Sequence, residues 1–210
     1  MRRRGPEGAP AVLCADGGTA RPRPGTWSAS VEWLVARLAP RHPALALYEL
    51  RYRVRSWKAL DDCIDDARAA LDRITAGIPE RPVLLVGYSM GGAVCAALAG
   101  HPAVRALVGL APWLPEQIDL SPLAGRRLAV IHGALDAALP GIPGVRASSS
   151  LAGVRRARAA GVEATHSVIP GAVHPVALRL PGGALLPAPR AREWLRRLDA
   201  EAGRYGADPA

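Results

Sequence analysis

Residues 82–87, Pro-Val-Leu-Leu-Val-Gly, constrain the fold more than any other stretch of the chain. Consecutive apolar residues leave no polar face, so this segment must be covered on both sides, as strands of a parallel sheet are. Met90 to Ala99 then reads as a helix closed by Gly100 and Pro102, and Val104 to Leu110 is a second buried strand. Strand, crossover helix and strand make a βαβ unit.

The alternation extends along the whole sequence. Ala11–Ala15, roughly 44–52, Arg127–Ile131 and Glu163–Ile169 read as further strands. Val31, Leu34, Val35 and Leu38 recur at helical spacing between Ser28 and Ala39, and Ser56 is placed to cap a longer helix striped by Trp57, Leu60, Ile64, Ala67, Leu71 and Ile74. Helices are also expected over about 148–160 and 191–200. Six strands with crossover helices predict an α/β fold, a mostly parallel sheet covered on both faces. A chain of 210 residues fits one domain, over 11–200, with flexible ends at 1–10 and 201–210.

Composition narrows the function by exclusion. The net charge of +9 raises nucleic acid or an anionic membrane as partners. Its arginines are scattered, however, clustering only at Arg2–Arg4 and in pairs such as Arg155 and Arg156, with no aromatic platform between them; neither partner is expected. Asp61, Asp62, Asp65 and Asp66 lie off the apolar stripe of their helix and read as its solvated side, not as a metal site. Cys14, Cys63 and Cys95 have no metal-ligand spacing and are odd in number, so they read as small buried residues in a reducing compartment. The start, MRRRGPEGAP, lacks the apolar stretch of a signal peptide, and a cytoplasmic protein is expected.

Gly87-Tyr88-Ser89-Met90-Gly91 fits G-x-S-x-G with a buried strand before it and a helix after it. The turn must be sharp enough to thrust Ser89 clear of the backbone, and Gly87, Gly91 and Gly92 supply the clearance. A serine hydroxyl needs a base to take its proton, and the base needs an acid to orient it. Asp136 leaves the strand ending at Ile131 through His132-Gly133-Ala134-Leu135, at the same sheet edge as Ser89. His174 follows the last strand, whereas His166 lies within it and points to a face of the sheet. His132 reads as a buttress of the Asp136 loop, and His42 and His101 as structural residues at element ends. For an oxyanion, the Met90 amide is one donor by geometry. The second is sought after the first strand, in Asp16-Gly17-Gly18, with Gly18 chosen and Gly17 as the alternative.

This ordered set, Asp16-Gly17-Gly18, Gly87 to Gly92, His132-Gly133-x-x-Asp136 and His174, resembles the α/β-hydrolase superfamily over about residues 10–200. More narrowly, Leu50-Arg51-Tyr52-Arg53-Val54-Arg55-Ser56-Trp57 and Leu110-Ala111-Pro112-Trp113-Leu114-Pro115 resemble compact bacterial hydrolases of the dienelactone-hydrolase and serine-hydrolase type, often found in actinobacteria. The resemblance implies a Ser89, Asp136, His174 triad and esterase-like chemistry without metal or organic cofactor. Three departures stand out. Asp16 replaces the usual histidine of the oxyanion loop, where its charge opposes a developing oxyanion unless it pairs with a neighbour. The first two strands of the family are missing, and Trp113 to Arg126 has room for a loop but not a lid domain.

The expected function is hydrolysis of a small-molecule ester or thioester. A non-catalytic α/β-hydrolase-fold binding protein is the alternative from another class. Trp113 stands near the expected pocket mouth, where substrate contact and rim packing are both open to it.

Overall fold

The computed structural model describes residues 1–137 and 144–207. Its main sheet has seven strands: β1 (Arg2–Arg4), β2 (Ala11–Ala15), β4 (Ala46–Glu49), β6 (Val83–Tyr88), β7 (Val104–Leu110), β8 (Arg127–Gly133) and β9 (Glu163–Ile169). They run in the order β1-β4-β2-β6-β7-β8-β9, all parallel except β1, which is antiparallel to β4. Two short ribbons, β3 (Arg23–Pro24) with β5 (Val54–Arg55) and β10 (Ala177–Arg179) with β11 (Leu185–Pro187), lie outside the sheet.

Five helices cover the two faces: α1 (Ala29–Leu38), α2 (Leu60–Thr75), α3 (Gly91–Ala97), α4 (Ala147–Ala159) and α5 (Ala191–Ala207). Alternation along each strand builds two cores. Leu13, Leu85 and Leu107 pack under α2, α3 and α4, while Val12, Leu84 and Val108 pack under α1 and α5. Ser28 caps α1 by accepting the Val31 N–H at 3.3 Å. Ser56 caps a short 3-10 turn that leads into α2. Cys14, Cys63 and Cys95 are buried and unpaired. Among the described residues no helix is long and apolar enough to cross a membrane.

The termini depart from the sequence reading. Residues 1–10 are expected to be flexible, yet Arg2–Arg4 adds an edge strand, because Glu49 is buried in β4 and needs a cation. Arg2 supplies it through two bonds, Nε to Oε1 at 2.9 Å and Nη2 to Oε2 at 2.6 Å. The last helix is expected to end near residue 200 but continues to Ala207. Ala202 and Tyr205 extend its buried stripe, and the Tyr205 hydroxyl donates to Pro82 O at 2.6 Å. Residues 208–210 of the expected flexible tail lie outside the described residues.

Between α3 and β8, residues 113–126 hold one 3-10 turn at Ser121–Leu123. The chain leaves β2 for β4 on one side and returns to β6 on the other, so the sheet's direction of winding reverses between β2 and β6. In open α/β sheets the crevice at such a point, outside the carboxyl ends of the strands, is where ligands bind.

Candidate active site

Pairing of Ala15 with Gly87 sets the exits of β2 and β6 side by side. Ser89 sits in the left-handed region at φ 55°, a conformation an L-residue holds only at a cost of about 1–2 kcal/mol. Its neighbours impose the strain. The Ser89 N–H donates to Leu110 O at 2.9 Å, while Ser89 O accepts the N–H groups of Gly92 at 2.9 Å and Trp113 at 2.8 Å. A Cβ at Gly87 would collide with the backbone of Gly91, and one at Gly91 with the backbone of Ala15 and Asp16. Strand and helix therefore touch only because these positions have no side chain.

Asp136 leaves β8 in a loop zipped to the one after β9: Ala134 N–H donates to Ile169 O at 3.0 Å and Leu135 N–H to Ala172 O at 2.9 Å. That second loop carries His174, whose Nδ1 lies 2.7 Å from Asp136 Oδ2. The other carboxylate oxygen accepts the Val145 N–H at 3.0 Å, and Gly144 packs so closely on it that a Cβ there would collide with Oδ1. Burial alone pushes the Asp136 carboxyl up, but hydrogen bonds from His132 and His174 outweigh it and hold the group below the usual carboxylate value.

Ser89, Met90, Gly17, Gly18, Trp113 and His174 line one cleft of about 840 Å³. Gly17 lies against the serine, since a Cβ on it would stand 3.4 Å from Ser89 Oγ. The Met90, Gly17 and Gly18 amides have no backbone acceptor among the described residues. Asp16 itself is buried and turned toward Arg55, whose Nη1 is 2.9 Å from Oδ2. Burial raises its carboxyl above the ordinary value, while Ser28, Arg55 and the Gly17 amide pull it back down.

Several residues that position the site escape a sequence reading. The Tyr88 hydroxyl donates to His174 O at 3.0 Å, and its ring stacks on the imidazole with centroids 5.2 Å apart. Ser30 Oγ accepts the Val176 N–H at 3.1 Å and so ties the His174 loop to α1. Trp57 and Arg55 also line the cleft. The signals were weak but present, in the variable position of G-x-S-x-G and in the Leu50–Trp57 stretch. Of the remaining histidines, His42 meets Asp199 at 2.8 Å and His101 accepts the Ala103 N–H at 3.1 Å; neither lines the cleft. His166 and Ser150 bond each other at 2.9 Å on the face under α4, also away from it.

The sequence profile of the family described as serine aminopeptidase, S33, matches residues 49–174, from the end of β4 through His174. The chain belongs to this family. As a member of the S33 family it is an α/β hydrolase, and solved structures agree on the fold. A sugar hydrolase from Lactococcus lactis superposes with a TM-score of 0.71 at 16% identity, covering 99% of this chain and 94% of the other. Est1E from Butyrivibrio proteoclasticus, bound to ferulic acid, gives 0.69 at 13% identity over 99% of this chain and 95% of its own. A serine hydrolase without a lid from Xanthomonas campestris gives 0.60 at 17% identity over 97% and 85%. No curated protein matches the S33 chain at the level of sequence.

Proposed function

We propose that the chain hydrolyses a small ester or thioester in two acyl-transfer steps with Ser89, His174 and Asp136 as its triad. The observation that carries this reading is the His174–Asp136 hydrogen bond at 2.7 Å, with His174 lining the cleft that the strained Ser89 also lines. An ionised carboxylate only accepts, so Nδ1 of His174 carries the proton and Nε2 keeps the lone pair of a general base. His174 takes the Ser89 proton, Ser89 Oγ attacks the acyl carbon, and the amides of Met90 and Gly18 receive the oxyanion. His174 then protonates the leaving oxygen or sulfur. A water deprotonated by the same imidazole attacks the acyl-enzyme, and collapse of the second tetrahedral intermediate returns the proton to Ser89.

Gly18 is taken as the second donor, with Gly17, which lies against the serine on the same cleft, as the alternative. The Asp16–Arg55 pair keeps an acid beside the oxyanion loop from opposing the reaction. Among the described residues, the short segment 113–126 sets no α-helix over the cleft, which suits a short acyl group. Labelling with a fluorophosphonate probe tests the nucleophile: wild type is expected to react and Ser89→Ala is not. Equal labelling of both would point to another nucleophile and labelling of neither would favour a binding protein; either sinks the assignment. Parallel assays on p-nitrophenyl acetate, an acetyl thioester and an aminoacyl p-nitroanilide separate ester, thioester and amide cleavage.

A further inference from the structure

We infer that His132, held by Ser150 and His166, is a positioning residue for Asp136, so that the acid which orients His174 is itself set by a hydrogen-bonded chain running from the edge strand β9. The inference rests on the proposed triad and extends it by three residues from three elements.

The direction of every bond follows from donor counting. His132 Nε2 lies 2.7 Å from Val145 O and 3.1 Å from Asp136 Oδ2. Both are acceptors, so Nε2 carries the proton and Nδ1 of the neutral ring is a lone pair. Ser150 Oγ is 2.8 Å from that Nδ1 and 3.1 Å from Ala147 O. The hydroxyl has one proton, and only its donation to Nδ1 leaves the buried ring nitrogen satisfied. The serine oxygen is then free to accept from His166 Nε2–H at 2.9 Å. Burial, His132 and Arg158 together lower His166 from its ordinary value and favour the neutral ring that this chain requires.

His132 and Ser150 are fully buried and the Asp136 side chain is sealed, so these bonds are not shared with bulk water in the folded protein. Oδ2 of Asp136 thus meets the Nδ1–H of His174 at 2.7 Å and lies 3.1 Å from His132 Nε2, while Oδ1 accepts from Val145 N–H, the residue whose carbonyl His132 holds at 2.7 Å. His132 therefore sets the carboxylate both by its own contact and through Val145. Remove His132, and the plane of Asp136 is held only by Val145 and by the very imidazole it must orient. A loop buttress alone would contribute stability; a positioning residue also sets the strength of the bond to His174.

The variants are His132→Leu, His132→Gln and Ser150→Ala in the full chain. The measurements are thermal unfolding, kcat and KM on p-nitrophenyl acetate, and the downfield proton resonance of His174 Nδ1–H. For His132→Leu the resonance is expected to shift or vanish, and kcat to fall roughly 10- to 100-fold with KM within about twofold. His132→Gln, whose amide still offers Asp136 a donor, recovers most of the loss. Ser150→Ala, which leaves His132 Nδ1 unpaired and the ring less firmly held, gives a smaller loss of the same kind. Folded variants with the wild-type resonance and kcat overturn the inference. Should His132→Leu fail to fold, Ser150→Ala decides alone by the same readouts. If Ser89→Ala retained turnover while the resonance still responded to His132→Leu, the triad would fall and the hold on Asp136 and His174 would stand.

Discussion

Replacing Arg55 with methionine isolates the feature that sets this cleft apart, a buried carboxylate next to the oxyanion loop. The Asp16 side chain is 6% exposed and that of Arg55 is 23% exposed, so the pair is largely out of water. Breaking a fully buried pair from one side costs about 3–5 kcal/mol; partial exposure of Arg55 and the remaining donors from Ser28 and Gly17 bring the expected loss to about 2 kcal/mol. For a chain of 210 residues that is a fall in Tm of about 4–8 °C.

The pH dependence gives the sharper test. Burial already raises Asp16, and Arg55 is one of the groups holding it down, so the variant's carboxyl rises further. Because the folded pKa exceeds the unfolded one, the group favours the fold below its ordinary value of 3.8 and loses that advantage as pH rises toward the folded pKa. The wild type levels off first and the variant later. Their difference is therefore small in acid, grows across the interval between their two folded pKa values, and is largest at neutral pH. Urea unfolding at several pH values measures it, with Asp16→Asn added to Arg55→Met as the compensating variant. The double variant is expected to regain most of the loss at pH 8. A deficit that is the same at every pH, or a double variant as weak as Arg55→Met, refutes charge compensation. On p-nitrophenyl acetate, Arg55→Met loses kcat at pH 8, with one oxyanion donor, about 3 kcal/mol, as the upper bound.

The strain at Ser89 separates two inactive variants. Ser89→Ala keeps φ at 55°, whereas Ser89→Gly relieves about 1–2 kcal/mol and returns about half of it through glycine's freer unfolded chain, so calorimetry should find the glycine variant more stable by about 0.5–1 kcal/mol. Asp136→Asn should lower kcat by about 10³- to 10⁴-fold with little change in KM, because an amide can favour the wrong imidazole tautomer; full turnover would remove Asp136 from the triad. Arg2→Ala leaves Glu49 buried with only Arg4 near it, at 3.7 Å, and should cost about 2–3 kcal/mol in denaturant titration with kcat unchanged, since β1 lies three strands from the nucleophile. Glu49→Gln in that background should recover most of the loss.

What a sequence makes legible here follows from the range of the interaction that decides each feature. Strand β9 and the helices α1 and α4 carry their own apolar period, and the sequence places them within one or two residues of where they fold. The proposed triad of Ser89, Asp136 and His174 could be nominated because a residue just past a parallel strand inherits its position from the strand, and strands are local. The strand Arg2–Arg4 was hidden because three arginines have no apolar pattern; its cause is Glu49, far along the chain. In α5 the sequence reading stops near residue 200, yet Ala202 and Tyr205 continue a stripe that is there to be read. Residues 175–189 showed no period, and their ribbon turns through Gly182 and Gly183 at φ 90° and 92°. Those two adjacent glycines, between Ala177-Leu178 and Leu185-Leu186, are the available signal.

Side-chain pairing is the least legible layer, and it is where the site is aligned. Asp16 meets Arg55 from across the cleft, Tyr88 meets His174, and His132 meets Ser150 and His166 from two other elements. None of these pairs builds the sheet, whose two cores are closed by apolar residues elsewhere. Yet each fixes a loop that carries a reacting or donating group. The backbone brings Ser89 and His174 to one cleft, but a reaction needs them placed to a fraction of an ångström, and that last alignment rests on hydrogen bonds between loops. Substitutions in this layer should therefore reduce kcat before they reduce stability, whereas trimming Leu85 or Leu107 in the core should do the reverse.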